Sequence, residues 1–200
     1  EFAMQQFKSK DYVTILLVIT NIAVYIFCTI QGNVLYNMGS LSVVDIINRQ
    51  EYYRILTSTF LHANPQHIWG NMIFLAALGD MLERSIGHGR FFAIYMLAGI
   101  GGNLLSMGHE LATGQFCSTI GASGAVFGLI GALLLLICKN NGTYGQVSFR
   151  RMIFAIVYLF YSGIQSETTN NMAHLGGFIT GFAVMAVFYC ITRRRYKRIR

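Results

Sequence analysis

The stretch Ile120-Gly121-Ala122-Ser123-Gly124-Ala125-Val126-Phe127-Gly128-Leu129-Ile130-Gly131 sets one serine among small residues at the head of a long apolar run. Its four glycines recur at steps of three, four and three residues. On a helix they form one stripe where a neighbouring backbone can come close, with Ser123 on its flank. Ser123 is therefore either a packing serine beside a small-residue contact or a nucleophile held inside a membrane.

The composition of the whole chain indicates a membrane protein with several spans. Of 200 residues, 54% are hydrophobic and only 12% are charged, and the mean hydropathy is +0.50. The surface of a soluble domain with one core could not absorb so much apolar area. The four cysteines are scattered and contain no CxxC pair, which indicates neither a disulfide framework nor a zinc site. We expect no metal and no cofactor.

Six apolar segments predict an all-α bundle of six transmembrane helices in a single domain covering residues 1–200. Such segments must cross a bilayer core of ~30 Å at ~1.5 Å per residue. The expected spans are Tyr12 to Ile30, about Pro65 to Leu82, Phe91 to Met107, about Phe116 to Cys138, Met152 to Ile164 and Met172 to Thr192. Asn64-Pro65 is a helix-start signal for the second of them.

The connections between these spans differ in character. Gly32 to about Asn64 is too polar to cross and too apolar for a free linker, so we expect a structured interfacial loop with short amphipathic helices. The other expected connections are Glu83 to Arg90, His109 to Gln115, Lys139 to Arg151 and Gln165 to Asn171. Residues 1–3, ahead of Met4, are set aside as a remnant of cloning.

The distribution of positive charge predicts the orientation of the bundle. With both termini on one side, that side collects 13 of the 15 Lys and Arg residues, and the other side has only Arg49 and Arg54. The side richer in Lys and Arg is normally cytoplasmic, so both termini are expected in the cytoplasm. The basic tail, residues 193–200, then lies near anionic membrane lipid and is not a nucleic-acid patch.

This orientation predicts one polar layer near the outer surface. The second, fourth and sixth spans all run inward, and a fourth-span start near Ser118 or Thr119 puts Ser123 roughly 7 Å deep. His174 lies about as far past the start of its own span. The remaining members, His67 and Asn71, are four residues apart and share a helix face.

The sixth span adds a second argument for a paired site. His174, Gly177 and Gly181 are spaced three and four apart, so the histidine lies on the glycine face of its helix. If that face meets the glycine stripe of the fourth span, the imidazole comes beside Ser123. A hydroxyl needs a nearby base to become a useful nucleophile, and neutral histidine is the usual one. The alternative role for His174 is an ordinary interhelical hydrogen bond.

These residues resemble the motifs of the rhomboid intramembrane serine proteases. Gly121 to Gly124 matches their Gly-x-Ser-Gly, and Ala173-His174 with Gly177 and Gly181 matches their Ala-His-x-x-Gly-x-x-x-Gly. The resemblance runs from about Tyr53 to Gly181. It includes His62, His67 and Asn71 in the second-span pattern, and Glu83-Arg84 just after it.

The resemblance implies a role for each matching residue. Ser123 would be the nucleophile and His174 the general base, while His67, Asn71 and the backbone N–H of Ser123 would bind the oxyanion. Supporting positions would be His62, structural or water-organising, the glycines 121, 124, 177 and 181, and Phe127 against the base. Two departures stand out: Tyr53-Arg54 replaces a common Trp-Arg, and Phe127 replaces a common tyrosine.

The resemblance also implies an activity and a location. The enzyme would cut single-span transmembrane proteins near the outer leaflet, in a bacterial cell (inner) membrane. The oligomeric state stays open.

Two alternatives come from other functional classes. A small transporter or channel would use the same polar residues to line a path, but it needs polar groups through the full depth of the membrane. The inner halves of the second, fourth and sixth spans are nearly all apolar apart from Asp80. A non-catalytic rhomboid-like binding protein would have lost Ser123 or His174, and both are present. The sequence contains neither the HExxH motif of the zinc membrane proteases nor the Gly-x-Gly-Asp motif of the aspartyl class.

Overall fold

The computed structural model describes residues 11–166 and 169–199, with side chains up to residue 192. The set-aside residues 1–3 and the side chains of the basic tail lie outside the described residues. The helices are α1 (Tyr12–Gln31), α2 (Val34–Gly39), α3 (Val43–Arg49), α4 (Arg54–Thr57), α5 (Pro65–Ile86), α6 (His88–Thr113), α7 (Ser123–Lys139), α8 (Phe149–Ile164) and α9 (Asn171–Ile199). A 3-10 turn, Ser58–Phe60, follows α4, and a small hairpin pairs β1 (Thr143–Tyr144) with β2 (Val147–Ser148).

Three of the described helices are long and apolar enough to cross a membrane. They are α1, α6 and the part of α9 up to Thr192. Helix α7 is apolar but has only 17 residues, and α8 has 16. Helix α5 has 22 residues but carries Asp80, Glu83 and Arg84 in its second half. The chain is thus a mostly helical membrane protein, as its composition predicts.

Helix α5 begins as its sequence predicts. The Asn64 side chain accepts the backbone N–H of His67 at 2.8 Å, and Pro65 occupies the first turn, where its missing N–H costs nothing. This cap fixes the direction in which the first turn of α5, including His67, leaves the preceding loop.

Several predicted boundaries were wrong. The expected connection from Glu83 to Arg90 is helical apart from Gly87, because α5 runs to Ile86 and α6 begins at His88. Helix α6 continues to Thr113, through the expected loop from His109, because the carboxylate of Glu110 is buried there and accepts a hydrogen bond from Ser106 at 3.2 Å. Helix α7 begins at Ser123 and not near Ser118 or Thr119. Residues 114–122 reach it as non-helical chain, held by an antiparallel bridge between Leu41 and Thr119.

The segment between α1 and α5 contains the short helices α2 to α4 and the 3-10 turn. Its centre is the guanidinium of Arg54, only 3% exposed, which donates to Glu51 Oε2 at 2.6 Å. The same group donates to the carbonyl oxygens of Asn37 at 2.8 Å and Ser40 at 3.0 Å. A buried guanidinium with its donors satisfied holds the short helices of this segment in one arrangement.

Helix α7 is the central helix of the bundle, and 13 of its 17 residues are buried. It packs against α9 backbone to backbone. A Cβ added at Gly177 would overlap the carbonyl oxygen of Gly124, and one at Gly181 would overlap that of Gly128. The glycine faces of the two helices therefore meet, which is the condition under which the sequence places the imidazole beside Ser123.

A buried carboxylate holds the start of α1 against the last turns of α5. Glu83 accepts the backbone N–H groups of Val13 at 2.8 Å and Thr14 at 2.7 Å, and the Thr14 hydroxyl at 2.6 Å. Free N–H groups at a helix N-terminus favour an anion, so Glu83 fixes the start of α1 against α5. Its neighbour Arg84 pairs with Asp80 at 2.6 Å and with Asp11 at 3.1 Å.

Candidate active site

The contact between the glycine faces of α7 and α9 brings Ser123 and His174 together. Ser123 is the first residue of α7, and His174 lies in the first turn of α9. His174 Nε2 is 2.9 Å from Ser123 Oγ, which is hydrogen-bonding distance. His174 is buried and Ser123 half-buried, so the pair is shielded but reachable. A neutral imidazole at this distance can accept the hydroxyl proton.

The imidazole of His174 is held by an aromatic ring. Phe127, one turn after Ser123, stacks on it with centroids 4.1 Å apart and planes 11° from parallel. Phe127 is in turn contacted edge-on by Phe160 of α8, with the two ring centroids 5.1 Å apart. The stack restricts rotation of the imidazole and keeps Nε2 directed at Ser123.

The second nitrogen of His174 has no hydrogen-bond partner among the described residues, although it is buried. In serine proteases with a triad, a carboxylate binds this nitrogen and fixes the tautomer. Here ring stacking and the Ser123 contact orient the imidazole instead. The geometry is that of a two-residue pair.

His67 faces Ser123 across Gly121. The φ of Gly121 is +132°, a conformation that residues with a side chain rarely adopt. A Cβ at this position would lie 2.7 Å from His67 Nε2 and 3.8 Å from Ser123 Oγ. The absence of a side chain on Gly121 therefore leaves open the space between the imidazole and the hydroxyl.

Asn71 lies one turn further along α5 and is buried. Its amide nitrogen donates to the backbone carbonyl of His67 at 3.0 Å. An amide NH₂ has two hydrogens, so one remains for another acceptor. Any contribution of Asn71 to an oxyanion site would use that second hydrogen.

His62 contacts the chain just before Ser123. It is fully buried, and its Nε2 accepts the backbone N–H of Ala122 at 3.4 Å. Its ring also meets His67 edge-on at 5.1 Å. Desolvation, with a smaller effect of neighbouring His67, lowers the pKa of His62 to about 4, so the ring stays neutral near pH 7 and can accept that bond. Within the described residues, no cluster of His, Cys, Asp and Glu could hold a metal ion.

Sequence reasoning missed a group of buried and half-buried polar residues that bond to the chain segments leading to this pair. Asn170, just before α9, donates to Ser106 Oγ at 2.6 Å and to Thr119 Oγ1 at 2.8 Å. Asn103 of α6 donates to Ser58 Oγ at 2.9 Å, and the backbone carbonyl of Ser58 accepts the N–H of Gly121. One available signal was the position of Asn170, at the N-terminus of the span that carries His174.

Fold and site together define a helical membrane protein with a shielded serine–histidine pair, and comparison with known proteins gives the family. Residues 49–190 match the Rhomboid domain, and the chain belongs to the rhomboid family. It is 37% identical over 156 residues to RHOMBOID-like protein 1 of Arabidopsis thaliana, covering 77% of this chain and 39% of that protein.

Two further relatives carry the word protease in their names. The rhomboid protease GluP of Bacillus subtilis (strain 168) is 34% identical over 141 residues, which cover 70% of this chain and 27% of GluP. Rhomboid-like protease 1 of Toxoplasma gondii is 33% identical over 163 residues, covering 76% of this chain and 52% of that protein. This chain spans only about a quarter to a half of these relatives' length.

Proposed function

We propose that this chain is an intramembrane serine endopeptidase with Ser123 as nucleophile and His174 as general base. The observation that carries the proposal is the 2.9 Å contact between His174 Nε2 and Ser123 Oγ inside a glycine-packed pair of apolar helices. A polar pair is costly in such surroundings, which favours a functional role over packing. The protease names of two relatives support the same activity.

The reaction would proceed in two halves. Ser123 Oγ attacks the carbonyl carbon of the scissile bond while His174 Nε2 takes the hydroxyl proton, which gives a tetrahedral oxyanion. His174 then gives that proton to the leaving amine, the carbon–nitrogen bond breaks, and an acyl-enzyme remains. In the second half, water gives a proton to His174 and attacks the ester, and the proton returns to Ser123 as the acid leaves.

The oxyanion would be stabilised by three donors: the backbone N–H of Ser123, His67 Nε2 and the Asn71 amide. The position of His67 Nε2 across the side-chain-free Gly121 supports its part. Each preorganised donor of this kind is worth about 3 kcal/mol of barrier. His67→Ala or Asn71→Ala should accordingly lower turnover by ~10 to 1,000-fold.

We further propose six spans, formed by α1 and α5 to α9, with both termini in the cytoplasm of a bacterial cell and the α2–α4 segment at the outer interface. The charge distribution, with 13 of 15 Lys and Arg residues on one side, supports this orientation. The pair then lies at the outer ends of α7 and α9. The proposed substrates are single-span membrane proteins that unwind at their outer ends, where small, weakly helix-forming residues lower the cost of unwinding.

The test of this function is loss of nucleophile and base, separately and together. Ser123→Ala and His174→Ala should each abolish cleavage of a transmembrane reporter substrate in detergent, because each removes half of one unit. The double variant should be no worse, and a serine-reactive phosphonate should label the unsubstituted protein but not Ser123→Ala. Substantial proteolysis by Ser123→Ala would sink the assignment.

A further inference from the structure

Asn170 makes every hydrogen bond that its side-chain nitrogen can donate, and each one crosses between elements. The two amide hydrogens go to Ser106 Oγ of α6 at 2.6 Å and to Thr119 Oγ1 at 2.8 Å. Its amide oxygen accepts the N–H of Ala173 at 2.9 Å, which caps α9. The Asn170 side chain thus bonds to three segments: α6, the chain before α7 and the first turn of α9.

The position of these bonds relates Asn170 to the serine–histidine pair. Thr119 lies four residues before Ser123, and Asn170 lies four residues before His174. The bond between their side chains therefore joins the two chain segments that deliver the hydroxyl and the imidazole. Thr119 is itself fixed, because its backbone N–H and C=O both pair with Leu41, at 3.0 Å and 2.9 Å.

A buried carboxylate anchors the other side of this group. Ser106 donates to Glu110 Oε1 at 3.2 Å, and the backbone N–H of Cys117 donates to Glu110 Oε2 at 3.3 Å. Glu110 is 3% exposed and Ser106 is 1% exposed, so water competes little for these bonds. Asn170 is thus attached to α6 through a rigid support and not to a mobile surface group.

We propose that Asn170 is a positioning residue that sets the distance between Ser123 and His174 from outside the reacting groups. The proposal rests on the proposed function, because it concerns the geometry of that pair. The glycine contact fixes how close α7 and α9 approach. The Asn170–Thr119 bond adds a second constraint, between the chain segments that lead into the two helices. A misplacement of ~1 Å can cost ~100-fold in rate.

The test is Asn170→Ser, which keeps the cap of α9 but is too short to bond both Ser106 and Thr119. Serine is a good N-cap residue, so the helix should still form. The control is Asn21→Ser in α1, where a fully buried asparagine donates to the Leu17 carbonyl and to the Tyr95 hydroxyl. Both variants are measured in detergent for kcat, KM, the rate of phosphonate labelling and the unfolding temperature.

We expect Asn170→Ser to lower kcat and the labelling rate ~10 to 100-fold with little change in KM. Asn21→Ser should leave both rates within about twofold at temperatures where each variant is folded, whatever its unfolding temperature. Equal losses in the two variants would reduce Asn170 to an ordinary stabilising residue. Wild-type rates in Asn170→Ser would overturn the proposal outright.

A double-variant cycle separates a specific bond from a general disturbance. Thr119→Val removes the hydroxyl but keeps the backbone pairing with Leu41, so the pair Thr119→Val and Asn170→Ser should be far less than additive in log kcat. Full additivity would contradict the proposal. If the unsubstituted chain were neither labelled nor active, the proposed function itself would have failed, an outcome that these variants cannot imitate.

Discussion

Helix α7 has two different neighbours, and they hold it in opposite ways. On one side α9 packs its backbone directly on α7, with Gly177 and Gly181 against Gly124 and Gly128. On the other side α8 buries only Met152 and Gly163, and much of its apolar surface stays exposed. Helix α7 therefore has one interface at which two backbones touch and another at which few residues are buried.

The difference assigns two properties to two sides of α7: the α9 side is rigid, and the α8 side is open. The tight α7–α9 contact carries the serine and the histidine, and under the proposed function the geometry of this pair must be held within a fraction of an ångström. The loose α7–α8 contact lies beside the same pair, because Phe160 of α8 touches Phe127, which stacks on His174. Under the proposed function, a substrate helix would approach the pair on the α8 side without disturbing α9.

The strongest expected effect comes from filling the tight contact. Gly181→Ala places a methyl group against the Gly128 carbonyl, and both partners are backbone, so neither can rotate away. We expect a loss of ~3 kcal/mol or failure to fold, at the upper end of overpacking costs. The unfolding temperature and yield of folded protein in detergent measure the effect.

The matched control for this variant is Gly108→Ala in α6. A Cβ there meets nothing within 4 Å, so alanine should be neutral or up to ~1 kcal/mol stabilising through its better helix propensity. If Gly181→Ala behaved like Gly108→Ala, the two helices would not touch at their backbones, and the comparison with α8 would collapse.

An intermediate effect is expected at Phe127, which joins the two interfaces. Phe127→Ala removes the ring that stacks on His174 at 4.1 Å and should lower kcat ~10-fold, while Phe127→Tyr keeps the ring and should retain most activity. Steady-state cleavage of a reporter substrate, with the unfolding temperature recorded beside it, gives the result. A fall in stability with unchanged kcat would limit Phe127 to packing.

The tight interface was predictable from sequence because it depends on spacing alone. Glycines three and four residues apart define a helix face, and the spacing from His174 to Gly177 and Gly181 put the imidazole on that face. The start of α5 was equally readable, since Asn64-Pro65 is a local signal. Local patterns of this kind need no knowledge of the partner.

The start of the helix that carries Ser123 was predicted wrongly. The sequence pattern places Ser123 four to five residues inside a helix, whereas it begins the helix after a non-helical segment. That segment is stabilised by Leu41 and Ser58, which lie more than 60 residues away in sequence and leave no periodic signal near Ser123. The contacts of Asn170 were hidden for the same reason, because hydrogen bonds between distant side chains have no characteristic spacing.

The smallest expected effect is on the exposed face of α8, and it tests the loose side of the comparison. Val157 is 61% exposed, and lipid tails are as apolar as the side chain that Val157→Ala removes, so unfolding free energy should change by no more than ~0.5 kcal/mol. Met152, 5% exposed, is the matched position, where Met152→Ala should cost ~2 kcal/mol through a buried cavity. Unfolding of both variants in one detergent compares the two losses of unfolding free energy. Equal losses would mean that the exposed face is packed against another chain, and α8 could then not be the free side through which a substrate approaches.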